Sequence, residues 1–486
     1  MIRRTRTFLF FSLAVLFLVI TPLTVFYSLG WRMDWQEIKI IQPGAFYFKV
    51  WPKNCYIYLD EKLAKKTDFL FGTAFVDNLP AKNYEVEIKK EGFQIWEKNL
   101  EIKERGITSA KNIILFPEKL NLEVVSKSVE RFFFSPDKKK IILQESINSN
   151  SENSDASTWV LKLFEIDKNI KSHLFEEKDI TKEEAELIDL QFSPDSKRIL
   201  LTVKVKEPLK TTKSGEKNQK ESVADKLKYY FADLDKTLPT PSFLTDFSKE
   251  TKEVYFSQQN PQKLLFLEAG VLAELNLVNY ETSPPILENI ITFSISNGGI
   301  YYLDKSGFLF RANPSFQQRE KLNLSPFPVK TESQYKIFAL SSYIFLKEDN
   351  VLYQFKKEKN GFEKLSEPVK DFGLSPDLKK LVFFSDYEIQ VLFLEEIFDQ
   401  PYKKANSQLF LTRFSEKINK VFWLAHQYLV FNTGNKIKIV ELDDRDKINI
   451  FNLGEFENPE IFWNQTTKKL YIFAKKTLYE SEKLAP

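Results

Sequence analysis

Few side chains in this sequence could carry chemistry. There are two histidines, His173 and His426, and one cysteine, Cys55. A catalytic zinc needs three protein ligands drawn from His, Cys, Asp and Glu, and neither histidine has a second His or Cys beside it in the chain. His173 stands in a polar stretch and is expected in a loop. His426 lies in Ala425-His426-Gln427, expected to be a hairpin turn. A single cysteine excludes an intramolecular disulfide and a cysteine-rich metal site, and Cys55 is expected to be a half-buried strand residue. Glu441-Leu442-Asp443-Asp444-Arg445-Asp446 offers alternating carboxylates for a cation, but it lacks the glycine and twelve-residue loop of a calcium hand. A solvated turn is the expectation there. There is no nucleophile elbow, no H-E-x-x-H and no glycine-rich phosphate or dinucleotide loop. No catalytic, cofactor-binding or metal-ligating residue is assigned, no cofactor is expected, and the protein is read as a non-enzyme.

What does recur is a turn. Phe134-Ser135-Pro136-Asp137 is preceded by Phe132-Phe133 and followed by Ile141-Ile142-Leu143. The pattern returns as Phe192-Ser193-Pro194-Asp195 before Ile199-Leu200-Leu201, and as Leu374-Ser375-Pro376-Asp377 before Leu381-Val382-Phe383-Phe384. Proline presets φ for a type I turn, while Ser and Asp side chains hydrogen-bond the nearby backbone. The unit is a β-hairpin, and Asp137, Asp195 and Asp377 are expected to close turns, since a catalytic pair needs no copy in every repeat.

The composition agrees with strands. Forty-five Phe and nineteen Tyr among 486 residues favour β structure, and the length is enough for more than one domain. A net charge of +3, from 70 basic and 67 acidic residues, gives no electrostatic case for nucleic acid. Arg3, Arg4 and Arg6 precede an uncharged apolar run over 7–29, long enough to cross a bilayer. The basic flank predicts residues 1–6 in the cytoplasm and everything beyond the helix outside, with Trp31 and Trp35 at the outer interface. An uncleaved single-pass helix is expected; a cleaved signal peptide is the rival reading.

From 38 to 116 apolar and polar residues alternate with period two. Strands are expected at Lys39-Ile40-Ile41, 45–50, 56–59, 84–88, 96–102 and 108–115, forming a small antiparallel sandwich over 36–117. The residues Ile57-Tyr58-Leu59-Asp60-Glu61-Lys62, Leu79-Pro80-Ala81-Lys82-Asn83-Tyr84-Glu85-Val86 and Lys90-Glu91-Gly92-Phe93…Trp96 resemble the PEGA domain. That resemblance implies a surface-exposed, often membrane-tethered module with no catalytic residues. Glu61 and Lys82 replace two family glycines of positive φ, and Asn83 is the residue expected to take over that conformation.

Strand–turn–strand units follow near 129–166, 187–235, 252–277, 289–311, 335–356, 369–394, 418–442 and 459–480. In two worn copies, 256–267 and 462–473, Asn and Gln replace Ser-Pro-Asp. Four short strands per repeat fit propeller blades over 118–486, and the F-S-P-D signature resembles the WD-repeat-like, Tol-type propellers of secreted bacterial proteins. Eight blades are favoured, with seven as the alternative. Two inserts, 145–158 (rich in Ser and Asn) and 206–226 (rich in Lys), are expected to be solvated loops.

The fold class expected is thus all-β: one transmembrane helix, a PEGA-like β-sandwich and a β-propeller. The function expected is a cell-membrane-anchored, extracytoplasmic scaffold whose propeller binds an envelope protein or a cell-surface polymer. The last unit ends close to Pro486, which leaves a propeller-bearing peptidase nowhere to place its nucleophile. The alternative is a glycan-acting enzyme with dispersed carboxylates at the propeller channel, at the separation glycosidases use.

Overall fold

The apolar N-terminal run forms one helix, Arg3–Ser28, in which Arg6–Ser28 is long and apolar enough to cross a membrane. The structure is a computed structural model that describes residues 3–34, 39–147, 158–181, 185–208, 223–245, 251–258, 260–296, 299–340 and 343–486. Trp35 and most of the two inserts lie outside the described residues. The chain divides into two compact units: Met1–Glu123 with Asp371–Lys475 and Tyr479–Pro486, and Val124–Lys370 with Lys476–Leu478.

In the first unit a short hairpin, Arg32–Asp34 with Lys39–Ile41, follows the helix. A three-stranded sheet then runs in the order Thr73–Leu79, Gly44–Trp51, Ile107–Ile114, and a four-stranded one in the order Lys62–Lys66, Tyr56–Leu59, Asn83–Lys89, Trp96–Glu101. The two share one cluster of buried side chains that includes Phe46, Phe48, Ile57, Val86, Ile88 and Trp96. The expected all-antiparallel arrangement is corrected at one ladder, where Gly44–Trp51 pairs parallel with Ile107–Ile114. Alternation within a strand is the same for both directions, so only the long-range pairing decides this. Two strands also escaped the period-two reading. Lys62–Lys66 is exposed throughout, and Thr73–Leu79 buries only Ala74; both are edge strands that carry charge or polar residues, as edges must.

The turns of this region depart from the expectation in an instructive way. Asp60 and Glu61 both take left-handed φ, 48° and 65°, so Glu61 has the conformation that the resemblance implies for a glycine at 61. Hydrogen bonds hold it there: Asp60 N–H donates to the Glu85 carbonyl (2.9 Å), and Lys82 Nζ reaches Asp60 Oδ2 (2.6 Å). Asn83 does not take positive φ; it begins the strand Asn83–Lys89, and the nearby positive φ, 56° at Asn78, lies within the strand Thr73–Leu79 where its ladder with Gly44–Trp51 shifts register.

The remainder of this unit holds antiparallel sheets built from consecutive strands: Asp371–Leu374, Lys380–Phe384, Glu388–Phe393, Gln408–Arg413; then Ile418–Ala425, Tyr428–Thr433, Lys436–Glu441, Ile450–Glu455; then the pair Glu460–Asn464 and Lys469–Ala474. Glu482 N–H donates to the Asn121 carbonyl (3.1 Å), so the last strand of the chain, Thr477–Lys483, is bonded where the residues after the small domain begin.

The second unit repeats the plan. Val129–Phe134, Lys140–Ile147, Thr158–Glu165 and Ile170–Glu176 form its first four-stranded sheet, and similar sheets follow over 185–245, 290–321 and 335–366. Over 251–276 three strands are paired, with isolated bridges Leu272–Leu287 and Leu275–Thr282 beside them. The sequence units found the inner three strands of most sheets and stopped short of the outermost one. Arg319–Lys321 is fully exposed, and Gly361–Ser366 buries no residue. An outer strand with water on its free side needs no apolar alternation, so it leaves no periodic signal.

Candidate functional site

The acidic run at 441–446 is the strongest chemical cluster, and the structure overturns its expected role. Glu441 ends the strand Lys436–Glu441 and is buried, 3% exposed, against the fully buried Lys98. Lys98 Nζ is 2.6 Å from Glu441 Oε1 and donates to the carbonyls of Asp443 (2.8 Å) and Lys447 (2.5 Å), so each of its three N–H groups has an acceptor. Glu441 Oε2 accepts from Trp96 Nε1 at 2.8 Å. Burial pushes the Glu441 carboxyl up, and the Lys98 ammonium pulls it back down. The other carboxylates are held as well. Asp443 pairs with Arg445 and Asp444 with Lys403, both at 2.5 Å, while Asp446 Oδ2 accepts from the backbone and side chain of Asn99 at 2.9 and 3.1 Å. The run is not a solvated turn. It is where the small domain is fastened to the sheets of 371–455.

Apolar packing completes the junction. Phe116 is buried with its ring 5.4 Å from that of Tyr428 and 5.2 Å from that of Phe451. Tyr428 Oη accepts the Ile114 N–H at 3.1 Å. Gln400 bridges Ser109 N–H and the Ile107 carbonyl, and Lys111 pairs with Asp399 at 2.7 Å. Beside these contacts lie a cavity of about 30 Å³ lined by Trp96, Tyr428, Glu441 and Arg445, and a cleft of about 280 Å³ lined by Trp51, Lys53, Phe71 and His426 among others. Lys98 escaped the sequence reading although a signal existed. In the alternating strand Trp96–Glu101 it falls on the face of Trp96 and Leu100, an inward position where a charge must find a partner.

The remaining candidates are apart from one another. His173 lies on the strand Ile170–Glu176, not in a loop, with Nε2 3.5 Å from Glu176; a strand without buried alternation at its start reads as loop. His426 is in the expected two-residue turn, 3.6 Å from Asp377. Cys55 is fully buried rather than half-buried and precedes the strand Tyr56–Leu59. Burial pushes its thiol up to about 11, while nearby Lys90 pulls the other way. Among the described residues no three of His, Cys, Asp and Glu group to hold a metal.

The Ser-Pro-Asp turns behave as their residues predict. Ser375 Oγ donates to Asp377 Oδ1 (2.5 Å) and accepts Lys380 N–H (2.9 Å), and Ser135 and Ser193 repeat both bonds. The residue after Asp is left-handed each time: Lys138 at 61°, Ser196 at 58°, Leu378 at 58°. In the worn copy Asn464 Oδ1 accepts from Thr466 and Thr467, and Lys468, at 59°, takes the left-handed position. For Asp377, burial opposes its charge, but Lys380 and Ser375 outweigh it and hold the carboxyl below the usual range. Because Leu378 is exposed and left-handed, Leu378→Gly is expected to raise stability by about 1 kcal/mol, as measured by denaturant titration.

No family model matches the chain, and no curated protein matches it. Solved structures do. The Cps50 (Swd1) β-propeller domain of Myceliophteria thermophila is 10% identical with a TM-score of 0.39, covering 75% of this chain and 99% of that one. Hsv2p of Kluyveromyces lactis is 11% identical with a TM-score of 0.40, covering 68% and 99%. The computationally designed Ika8 protein is 10% identical with a TM-score of 0.42, covering 74% and 98%. Among the described residues the chain is mainly β, with one long apolar N-terminal helix, the short helix Glu177–Ile180 and a single 3-10 turn, and the solved structures it is similar to include a β-propeller domain.

Proposed function

We propose that this protein is a membrane-anchored, extracytoplasmic scaffold of the cell envelope, not an enzyme. Its repeated sheets close into a propeller, eight blades being the count favoured, that offers a surface to an envelope protein or a surface polymer. The small domain at 36–117 is PEGA-like. Its left-handed Glu61 and Gly92, with φ of 65° and 77°, stand where the family's turn glycines would. The observation that carries the non-catalytic reading is the fate of the acidic run. All four of its carboxylates are consumed by Lys98, Arg445, Lys403 and Asn99, which turns the best chemical cluster into a fastening. The apolar helix Arg3–Ser28 supports the anchor.

The test uses the full chain in host membranes. It is expected to stay with the membrane after an alkaline carbonate wash and to be cut by protease added outside intact spheroplasts. Purified in detergent, it is expected to turn over no glycan or peptide substrate. Glycan cleavage abolished by one Asp or Glu substitution would replace this reading with that of a glycan-acting enzyme.

A further inference from the structure

Trp96 and Lys98 fasten one edge of the small domain; the other edge of each of its sheets has no further strand beside it among the described residues, and Phe71 at the tip of that edge borders the cleft shared with His426. There the two edge strands Lys62–Lys66 and Thr73–Leu79 lie against one another, joined by Lys65 Nζ donating to the Phe75 carbonyl at 2.7 Å. The loop between them carries Phe69, Leu70 and Phe71 in succession, with 70%, 56% and 70% of their surfaces exposed. Leu63 and Phe75 extend the same apolar edge. Contiguous exposed apolar surface of this kind marks a site of contact.

The loop is built to hold these rings outward. Asp68 Oδ1 accepts the N–H groups of Leu70 and Phe71 at 2.9 and 2.6 Å, and Oδ2 accepts from the backbone and hydroxyl of Thr73. These bonds, that from Phe71 foremost, hold the Asp68 carboxyl well below the usual range. Gly72, at φ 70°, lets Val50 N–H reach its carbonyl at 2.9 Å; a Cβ there would sit 2.3 Å from the Val50 oxygen. A preformed tip loses little conformational freedom on binding.

Positive charge is gathered on the strand Lys62–Lys66, set against Glu61 and Asp77, while Asp60 is paired with Lys82 and Asp68 is bonded within its own loop. Lys62, Lys65 and Lys66 form no ion pair among the described residues, and all three are exposed. Lysines beside exposed Phe and Leu are the chemistry of an anionic lipid surface, where rings enter the headgroup layer and ammonium groups stay among phosphates. Such a surface would be held close by. The strand Gly44–Trp51 adjoins Thr73–Leu79 directly, with Gly44 opposite Leu79 and Lys49 opposite Thr73, so Gly44 lies at the far end of this edge from the 69–71 tip, roughly 20 Å along the strand. Residues 29–43 easily span that distance from the end of the helix. We infer that the edge formed by 62–66, the 69–71 tip and Phe75 lies on anionic lipid of the membrane that Arg3–Ser28 crosses. The inference rests on the proposed anchor and extends it: the small domain is a second membrane contact that holds the rest of the chain at a set tilt.

The experiment places an environment-sensitive fluorophore on Phe71→Cys, and separately on Leu16→Cys, in the full chain with Cys55→Ala. The protein is reconstituted into vesicles of phosphatidylcholine with or without phosphatidylglycerol. A lipid-borne quencher is expected to quench the label at 71 when phosphatidylglycerol is present and to lose that effect without it. Lys62→Gln, Lys65→Gln and Lys66→Gln together are expected to shift the edge off the lipid by roughly a hundredfold. A label at 71 open to aqueous iodide and untouched by the lipid quencher would overturn the inference. So would one shielded from both, which would mean a protein covers the edge. The label at 16 reports on the anchor alone, so failure of the helix to enter lipid is read independently of the edge.

Discussion

Lys98→Ala is expected to destabilise the first unit by about 3–5 kcal/mol, because it strands the buried Glu441 carboxylate without its counter-charge. Chemical denaturation followed by tryptophan fluorescence measures it, with Trp96 as a local reporter, since its indole N–H is bonded to the same carboxylate. The pair itself contributes far less than that figure. Taking two charges out of water costs much of what their attraction returns, and the large loss comes from breaking the pair one-sidedly. Lys98→Met with Glu441→Gln should therefore recover more than half of the deficit: the glutamine still accepts from Trp96, and no net charge is left buried. A loss below about 1 kcal/mol for Lys98→Ala, the range of exposed pairs, would show that water reaches the ammonium.

Phe116→Ala is expected to cost a similar amount, about 3–5 kcal/mol, by leaving a cavity between Tyr428 and Phe451. The residue sits where the small domain hands over to the repeated sheets, so its loss acts on the junction more than on either side. Limited proteolysis reads this directly: cutting after residue 116 should accelerate, while the buried strands Lys380–Phe384 and Tyr428–Thr433 stay protected. Benzene, which fits a dry cavity lined by aromatic and aliphatic groups, should restore part of the lost stability. No change in proteolysis with an unchanged unfolding midpoint would mean that the polar contacts around Glu441 hold the junction alone.

The first prediction acts at the acidic run, which the sequence described wrongly as a solvated turn, while its hairpin turns are legible in detail. Ser375, Pro376 and Asp377 are adjacent, and the bonds they make reach only five residues, to Lys380. Every partner is in view when the sequence is read. The same holds for the two-residue turn at His426-Gln427 and for the inner strands, where runs such as Leu381-Val382-Phe383-Phe384 are buried on both faces. The outermost strands were missed because Arg319–Lys321 and its counterparts carry no apolar period. For the same reason the start of the strand that carries His173 reads as loop in the sequence.

What the sequence determined by itself was local: one apolar helix, period-two strands, a hairpin repeated with Ser-Pro-Asp or Asn at its tip, and no motif of known chemistry. What only the tertiary structure decided was which distant residues meet. Lys98 looked like one charge on an alternating strand, and Glu441 like one carboxylate in an acidic run. Their pairing turns a solvated cluster into a buried fastening, while Phe69, Leu70 and Phe71 at the tip of the small domain stay exposed. The physical reason is range. Alternation and turn chemistry act over a few residues of one strand, whereas the sign and cost of a buried charge depend on what the fold sets a few ångströms away, however far along the chain it lies.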